Sequence, residues 1–427
     1  MYKRFVQKQL EKYVQEYFKA HPEVKLVAVA GSVGKTSTKT AIATVLSRQL
    51  RVRMDNSNHN THMSAPLGIL GIDYPESVHN ITAWLAVFSA ARKRIKNPAD
   101  VDVVVQELGT DHPGEMAHFG TYLQPDIGVV TAITPEHMEF FKTLDGVAEE
   151  EMTLANISKL AVINRDDIES KYAADLTNPN IVTYGSTSAA EYHIEIDNFE
   201  IAHGFEGKLI GPDFKQPLAA NIRVLGEHSL RPATAAFAVA AKLGLSERSI
   251  IDGMEDITPV KGRMNVLRGV QNTILIDDTY NSSPASVAAA LQALYKMETP
   301  QRIAILGSMN ELGEASEEAH ETLGNLCDPA LLAWVVTVGD EAEKYVAPAA
   351  RARGCQVKSF KSAIDAGTFV KGVLENNAVV LAKGSQGNIF LEEAIKILLH
   401  ETAEDHELVR QSAAWLKIKQ NFFSKIS

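Results

Sequence analysis

The first twenty residues alternate apolar and polar positions with the period of an α-helix. Apolar side chains return every three or four positions, at Phe5, Val6, Leu10, Tyr13, Val14, Tyr17 and Phe18. This spacing predicts an amphipathic helix over residues 2–19. The apolar stripe of this helix needs a surface to cover it, either the protein's own core or another chain.

Short apolar runs separated by helical segments predict two successive α/β domains. The first series of predicted strands covers residues 24–30, 101–109, 126–133 and 160–167. The second series covers residues 273–278, 302–307, 333–339 and 378–385. Such alternation is typical of mostly parallel sheets with helices on both faces, whose ligands lie at the carboxyl ends of the strands. The second domain is therefore expected to be Rossmann-like.

Three other segments have patterns of their own. Residues 190–225 alternate apolar and polar positions and turn on glycines, which predicts a small antiparallel sheet. Residues 81–91 are apolar but too short to span a membrane, so they predict a buried helix. The tail over residues 392–423 predicts helices that cover the core. We expect the domain boundaries to give an N-terminal helix (1–23), a central domain (24–260) and a C-terminal domain (261–427).

The segment AVAGSVGKTSTKT, residues 28–40, lies between the first predicted strand and a predicted helix over residues 38–50. Its glycines allow the backbone to turn N–H groups inward, Lys35 supplies a positive charge for the β- and γ-phosphates, and Thr36 offers a hydroxyl to Mg²⁺. Val29 replaces the first glycine of the strict P-loop pattern, which leaves the shorter form G-x-x-G-K-T. A plain structural turn is the alternative, but the strand and helix on either side favour nucleotide binding.

Acidic and imidazole side chains follow two of the other predicted strands. Glu107 comes at the end of one strand, and His137 and Glu139 come just after the next. Because the carboxyl ends of parallel strands meet at one edge of a sheet, these groups are expected near the phosphates. The run AEEEMTL at residues 148–154 reads by default as a solvated helix face.

Composition narrows the class of protein. The 427 residues carry 42 Lys and Arg against 53 Asp and Glu, a formal net charge of -11, which argues against nucleic acid or an anionic membrane as a partner. Cys327 and Cys355 are too few for a disulfide framework or a metal cluster, so a reducing compartment is favoured. The N-terminus has no apolar signal region and no run is long enough to span a membrane. We expect a cytoplasmic enzyme.

Ten motifs follow one another along the chain in a recognisable order. They are GSVGKTSTKT, NSNHNTHMSAPLGIL, ELGTDHPGEM, PDIGVVTAITPEHMEFF, INRDD, GEHSLRPATAA, GRM, DDTYNSSPASV, AILGSMNELG and AKGSQG. Their order and spacing closely resemble the Mur ligase family over about residues 24–390. DDTYNSSPASV and ILGSMNELG, with the later His320, resemble the branch of that family that adds D-alanyl-D-alanine.

The resemblance implies an ATP-dependent amide ligase. In this family ATP phosphorylates a substrate carboxylate, an amine attacks the acyl phosphate, and ADP and phosphate leave. The implied cofactors are ATP and Mg²⁺. The implied substrates are a peptidoglycan-precursor carboxylate, as a small molecule or peptide, and D-alanyl-D-alanine or a similar amine.

Residue roles also follow from the resemblance alone. ATP contacts are implied for Gly31, Ser32, Gly34, Lys35, Thr36, Ser37, Arg263 and Asp278, and substrate contacts for Asn58, Asn60 and Asn281. Metal ligands are implied at Thr36 and Glu107 for a first Mg²⁺, at His137 for a second Mg²⁺, and at Glu151. Catalytic roles are implied at Lys35, His137, Glu151 and Lys383.

One departure from the family concerns Glu151. Mur ligases usually have, in the segment aligned with VAEEEMTL, a lysine that is carbamoylated and so carries a negative charge. By its spacing from HMEFF, Glu151 holds that position. Our hypothesis is that its carboxylate supplies the same charge on a shorter arm. A solvated helix face is the alternative.

Other departures affect the ends of the substrate site. Ser229 and Pro232 stand where asparagines are usual, one of them near adenine, and Gln386 stands where an arginine is common. Only about two dozen residues precede the P-loop strand, whereas the family has a UDP-binding domain there. The resemblance therefore leads us to expect either a UDP-free acceptor or a partner protein or dimer mate that holds the UDP end.

Two other classes stay open at this point. A small-molecule kinase would share Lys35, Thr36 and Glu107 but would have no use for the second domain. A non-catalytic ATP-binding subunit of a cell-wall complex would have no need for Lys35, Glu107, His137 and Asp278 together. The residues favour the ligase.

Overall fold

A computed structural model describes residues 2–55, 59–75, 80–201 and 203–426, which divide into two units. The first unit contains the chain up to Arg223 together with Leu230–Thr258. The second contains Val224–Ser229 and the chain from Pro259 onwards. Each unit is built around its own sheet, so each is described by itself.

A six-stranded parallel sheet forms the centre of the first unit. Its strands are β1 (Lys25–Ala30), β2 (Val52–Met54), β3 (Val103–Glu107), β4 (Ile127–Val130), β5 (Leu160–Asn164) and β6 (Ile181–Tyr184), in the order β2-β3-β1-β4-β5-β6. Strands β3 and β4 flank β1 and are buried along their whole length, as expected of a parallel sheet covered on both faces. The predicted parallel sheet is confirmed, and the ends of β1, β3 and β4 lie side by side.

Ten α-helices lie in the described part of the first unit. They are α1 (Tyr2–Ala20), α2 (Lys35–Leu46), α3 (Ala65–Leu70), α4 (Ile81–Lys96), α5 (Glu115–Gly120), α6 (Met138–Phe141), α7 (Leu144–Ile157), α8 (Ser170–Ala174), α9 (Leu230–Lys242) and α10 (Glu247–Glu255). The prediction of α1 is confirmed, but the bounds 38–50 predicted for α2 are wrong at both ends. Gly34 has a φ of 90°, which turns the chain straight into the helix at Lys35. Thr36, Ser37 and Thr38, which follow, are weak helix formers, so the sequence pattern does not predict this first turn.

The apolar stripe of α1 is covered by the first unit itself. Leu10, Val14 and Tyr17 are fully buried, and the ring of Tyr13 lies 5.9 Å from that of Phe88 on α4. Only Phe5, at the start of the stripe, is largely exposed. The own-core alternative is therefore the one that the structure supports for this stripe.

Helix α4 is only half buried, contrary to the prediction for residues 81–91. Trp84, Val87 and Phe88 face the core, whereas Ile81 and Leu85 are exposed. The side of the helix that faces away from α1 and the sheet thus keeps apolar side chains at the surface. Because residues 81–91 are apolar on all sides of the helix, their pattern does not predict which side is buried.

The predicted antiparallel sheet is confirmed as a separate layer of the first unit. It consists of β7 (His193–Glu200), β8 (Gly204–Ile210) and β9 (Leu218–Ile222), in that order. Both neighbouring pairs run antiparallel. One face of β8 and β9 is buried at Phe205, Leu209, Leu218 and Ile222, which explains the alternating pattern in the sequence.

The second unit contains a second α/β sheet, as predicted. Its strands are β10 (Asn265–Arg268), β11 (Ile274–Asp278), β12 (Arg302–Gly307), β13 (Trp334–Val338), β14 (Val357–Phe360) and β15 (Val379–Lys383), in the order β10-β11-β15-β12-β13-β14. All neighbours are parallel except the edge strand β10. Its α-helices are α11 (Pro284–Tyr295), α12 (Ser316–Leu326), α13 (Ala347–Ala352), α14 (Ala363–Val373), α15 (Glu392–Leu398) and α16 (Ala413–Ile426).

A buried ion cluster links the last two helices of the second unit. Glu392 is fully buried, and its carboxylate accepts a hydrogen bond from Arg410 at 2.7 Å and forms an ion pair with Lys419 at 2.9 Å. Lys419 also reaches Glu393 at 2.6 Å. The predicted helical tail is confirmed, but it consists of two separate helices, α15 and α16, which these ion pairs link.

Replacing Glu392 with glutamine is expected to lower the free energy of unfolding of the second unit by about 3 kcal/mol, because two buried cations lose their shared counter-ion. Urea denaturation followed by circular dichroism measures the change. The exposed Glu401, changed to glutamine, is the matched control and should alter stability by less than about 0.5 kcal/mol. Equal stability of the two variants would contradict this role of the cluster.

Among the residues that the structure describes, no helix combines the length and the apolar character needed to cross a membrane.

Candidate active site

The loop between β1 and α2 has the backbone that its glycines predict. Gly31 has a φ of 124°, and a Cβ atom placed there would lie 2.3 Å from the hydroxyl oxygen of Thr131. Only glycine fits at this position. The hydroxyl of Thr131 in turn donates to the carbonyl oxygen of Val33 at 2.7 Å. The segment after β4 therefore fixes the shape of the loop.

Ser32 and Ser37 have different places in this loop and helix. The Ser32 amide donates to the carbonyl oxygen of Ala132 at 2.9 Å, and its hydroxyl accepts from the amide of Thr134 at 3.1 Å. Ser32 is thus buried, and its two hydrogen bonds connect the loop to the segment after β4. Ser37 is half-buried in the first turn of α2, next to Thr36.

Lys35 is held by three oxygen atoms. Its ammonium nitrogen lies 2.5 Å from the carbonyl oxygen of Gly31, 3.2 Å from that of Ser32 and 3.1 Å from a carboxylate oxygen of Glu136. Burial by itself would lower the pKa of Lys35, but the negative charges of Glu136 and nearby acids reverse the effect and raise it. Lys35 is therefore fully charged at neutral pH.

Thr36 and Glu107 meet at the edge of the sheet, as predicted. The Thr36 hydroxyl donates to one oxygen of Glu107 at 2.9 Å, and the side-chain amide of Asn60 donates to the other at 3.1 Å. Lys39 lies 3.9 Å from the same carboxylate, which is almost completely buried. Asn60 thus contacts Glu107, while Asn58, its predicted companion at the substrate, lies outside the described residues. Sequence reasoning missed Lys39.

Glu151 points from α7 into the P-loop. Its carboxylate accepts a hydrogen bond from the backbone amide of Gly31 at 2.7 Å, across 120 residues of sequence. Burial raises the pKa of Glu151 to about 7, although the charge of Lys35 works in the opposite direction. Its side chain is only 3% exposed.

The neighbours of Glu151 show how the run of three glutamates divides. Glu150 is also buried and accepts hydrogen bonds from the amides of Gly114 at 2.6 Å and Met116 at 2.5 Å. Glu149 alone is exposed. The solvated-face interpretation is therefore wrong for Glu150 and Glu151, because helical geometry turns them inward.

His137 lies at the same edge of the sheet, at the start of α6. Its φ of 47° is in the left-handed region, an unusual backbone for a residue other than glycine. Its Nε2 atom lies 3.3 Å from Asp111 and 3.4 Å from Glu136. Glu139, which follows two residues later, is exposed. Sequence reasoning singled out Glu139 and missed Glu136, although Glu136 directly precedes His137.

The donor set at Thr36 and Glu107 fits a magnesium ion. Mg²⁺ prefers oxygen ligands and usually takes one or two carboxylates together with substrate phosphates and water. Among the described residues, no three His, Cys, Asp or Glu side chains converge on a shared metal position. Glu151 and His137 instead contact other groups of the protein. The assignment of Thr36 and Glu107 to one Mg²⁺ and of His137 to a second stays a prediction.

A second polar cluster lies at the strand ends of the second unit. Lys383, at the end of β15, forms an ion pair of 2.6 Å with Asp278 at the end of β11. Lys383 also donates to the backbone carbonyl oxygen of Asn281 at 3.1 Å. The other oxygen of Asp278 accepts from the amide of Met264 at 3.3 Å. Three of the predicted residues are thus brought together.

Arg263 lies beside this cluster, against an aromatic ring. Its guanidinium carbon is 4.4 Å from the ring centre of Tyr280, a cation–π contact. Arg263 directly precedes Met264, whose amide binds Asp278. The predicted ATP-contacting residues of the second unit therefore share one edge of its sheet.

His320 supports the loop that follows β12. Its Nε2 atom accepts a hydrogen bond from the amide of Met309 at 2.8 Å, and its Nδ1 atom lies 2.7 Å from the carbonyl oxygen of Ser316. Burial lowers the pKa of His320, so the neutral ring is favoured. The amide of Asn310 donates to the Ser385 hydroxyl at 2.8 Å, which ties this loop to the one after β15.

Two family models match successive parts of this chain. The Mur ligase middle domain matches residues 29–240, and the Mur ligase glutamate ligase domain matches residues 262–386. This chain belongs to the Mur ligase family, a class of ATP-dependent acid–amino-acid ligases.

Two relatives with the same name illustrate the similarity. The chain is 26% identical to the UDP-N-acetylmuramoyl-tripeptide–D-alanyl-D-alanine ligase of Bacillus subtilis (strain 168) over 384 residues, 88% of this chain and 76% of the relative. It is 27% identical to the ligase of the same name from Haemophilus influenzae over 395 residues, 88% and 77% of the two chains.

Solved structures share the fold. A crystal structure of MurF from Acinetobacter baumannii matches with a TM-score of 0.75 at 24% identity, covering 92% of this chain and 80% of that one. MurF from Thermotoga maritima in complex with ADP matches with a TM-score of 0.75 at 22% identity, covering 94% and 84%. The predicted fold class is confirmed.

Proposed function

We propose that this chain joins D-alanyl-D-alanine, or a similar amine, to a carboxylate of a peptidoglycan precursor at the expense of ATP. The observation that carries the proposal is the P-loop, in which Lys35 and the Thr36–Glu107 pair lie at adjoining strand ends. The names of the relatives support the choice of substrates. Because the reaction consumes ATP, we place it in the cytoplasm.

The P-loop residues would bind the phosphates of ATP. Gly31, Ser32 and Gly34 would line the phosphate site at the N-terminus of α2, and Lys35 would add its positive charge. Thr36 and Glu107 would hold Mg²⁺, which neutralises phosphate charge when bound. These contacts stabilise the negative charge that develops during phosphoryl transfer.

The reaction then proceeds in two balanced steps. An oxygen of the acceptor carboxylate attacks the γ-phosphorus of ATP, the bond to ADP breaks, and an acyl phosphate forms. The amine attacks the acyl carbon, the carbon–oxygen bond to phosphate breaks, and the amine loses a proton as the amide forms. Both steps demand accurate placement of the reacting groups.

Other residues have proposed roles on either side of these steps. Glu151 and His137 would orient the acceptor carboxylate that receives the phosphoryl group, at the edge of the first sheet. Asn60, with Asn58, and Asn281 would contact the substrates, and Lys383 would stabilise charge near the acyl group. For Arg263 and Asp278 we keep the ATP contacts that the family resemblance implies.

Ligation is expected to depend on pH through Glu151. Burial raises its pKa to about 7, so the side chain is neutral below this pH and negative above it. If the carboxylate is the working form, kcat/KM for ATP rises as the pH increases through about 7, because this parameter reports the free enzyme. Initial rates across that range measure the effect, and a flat profile would contradict the proposed role of the charge.

The substrate assignment can be tested with purified protein, ATP and Mg²⁺. UDP-N-acetylmuramoyl-tripeptide and matched UDP-free peptides are offered with D-alanyl-D-alanine and other amines, and products are identified by mass spectrometry. We expect D-alanyl-D-alanine to be joined to the UDP-linked tripeptide with release of ADP. Ligation of UDP-free acceptors alone would instead assign a divergent ligase. Nucleotide binding without any amide product would favour a non-catalytic subunit.

A further inference from the structure

Three groups of the P-loop that are suited to bind phosphate or metal contact acids of the same chain. The Gly31 amide donates to Glu151, the Thr36 hydroxyl donates to Glu107, and the Lys35 ammonium contacts Glu136. Glu107 belongs to the proposed metal site. Glu136 has no part in the function described so far, and it is the residue that contacts the loop's positive charge.

The three contacts of Lys35 use all of its donors. An ammonium group has three N–H bonds, and the carbonyl oxygens of Gly31 and Ser32 and the carboxylate of Glu136 account for three acceptors. A phosphate that binds Lys35 must therefore displace one of them. The carbonyl oxygens belong to the fixed backbone of the loop, whereas Glu136 reaches Lys35 through a side chain that can rotate.

Electrostatic repulsion also favours displacement of Glu136 by a bound phosphate. A phosphate next to Lys35 would lie close to the Glu136 carboxylate, and the two negative charges repel each other strongly where water is scarce. The side chains of Lys35 and Glu136 are only 14% and 20% exposed. Nε2 of His137 lies 3.4 Å from the same oxygen of Glu136 and is a second partner for it.

We propose that Glu136 is an internal counter-ion of Lys35 that a bound nucleotide must displace, so that Glu136 sets the affinity for nucleotide. This inference rests on the proposed function, because it assumes that ATP phosphates bind at Lys35. It assigns Glu136 a positioning role: Glu136 holds the lysine side chain against the loop in the absence of ligand and opposes phosphate binding.

The test compares ADP affinity, measured by isothermal titration calorimetry with Mg²⁺, in the parent protein and in Glu136→Gln. Removal of the competing charge is expected to tighten ADP binding about two- to fivefold, the range for a partly exposed ion pair. Glu139→Gln removes one charge from an exposed position three residues away and is expected to bind ADP like the parent. Affinity in Glu136→Gln that is unchanged or weaker would overturn the proposal.

A double-mutant cycle shows whether the effect passes through Lys35. Lys35→Met is expected to weaken ADP binding, and adding Glu136→Gln to it is expected to give no further gain. A gain of the same size without Lys35 would overturn the proposal, because it would reflect general repulsion. Thermal denaturation checks folding, and Glu136→Ala takes the place of the glutamine variant if that variant is unstable.

A wrong nucleotide site and a wrong role for Glu136 would give different binding results. If the proposed nucleotide site is wrong, the parent protein binds no ADP, or Lys35→Met binds it equally well. If only the role of Glu136 is wrong, Lys35→Met weakens binding while Glu136→Gln does not strengthen it.

Discussion

Lys35→Met is expected to lower the rate of ligation about a thousandfold, the size of effect seen when a single charged or polar group that stabilises a transition state is removed. The Lys35 ammonium is the positive side chain held inside the P-loop, and its pKa is raised, so it stays charged throughout the reaction. Methionine has nearly the same length and keeps the apolar part of the side chain. ADP affinity is expected to fall about ten- to hundredfold.

Initial rates of ADP release under saturating substrates measure the effect of Lys35→Met. The matched control is Lys93→Met, which removes an exposed lysine from the last part of α4 and is expected to retain full activity. Ligation within about threefold of the parent in Lys35→Met would mean that phosphate charge is neutralised elsewhere. That result would remove the P-loop from the chemistry.

Glu151→Gln is expected to reduce ligation at least about a hundredfold while ATP affinity changes by less than about threefold. The glutamine oxygen can still accept the hydrogen bond from the Gly31 amide, so the loop keeps its shape. What is lost is the negative charge. The comparison is made about one pH unit above the Glu151 pKa of about 7, where the parent side chain is ionised.

Glu149→Gln provides the control for Glu151→Gln, because Glu149 lies on the same helix and is exposed. Its ligation rate is expected to match that of the parent. A fully active Glu151→Gln variant would rule out a catalytic role for the carboxylate and leave Glu151 as a structural partner of the P-loop. Loss of ATP binding together with ligation would point instead to collapse of the loop.

Much of the fold follows from local sequence patterns. The buried strands β1, β3 and β4 are short apolar runs rich in valine, which predict a parallel sheet directly. The edge strands β2 and β14 escaped prediction, because they have three and four residues and are only partly buried. At an edge, pairing with a neighbouring strand determines the structure, and the local pattern carries little of that information.

The candidate site was predictable where residues act through their own motif. Gly31, Lys35 and Thr36 are recognisable together because the loop needs these residue types at this spacing. The contact of Lys35 with Glu136 spans 101 residues, and that of Gly31 with Glu151 spans 120. Such pairs arise from the order of strands in the sheet, which motif spacing alone does not contain.

The second unit shows the same limit. Lys383 and Asp278 are 2.6 Å apart because β15 and β11 are neighbours, although more than a hundred residues separate them along the chain. The resemblance to the Mur ligase family identified both residues, but not their ion pair. Their mutual neutralisation explains how Lys383 is tolerated at only 3% exposure.

The most direct test of the central claim uses an acceptor tripeptide whose terminal carboxylate carries a heavy oxygen isotope. If the carboxylate attacks ATP to form an acyl phosphate, one labelled oxygen is transferred to the inorganic phosphate that leaves with amide formation. Mass spectrometry of the phosphate, after incubation with ATP, Mg²⁺ and D-alanyl-D-alanine, is expected to show that single label. Amide formation with unlabelled phosphate would contradict the account.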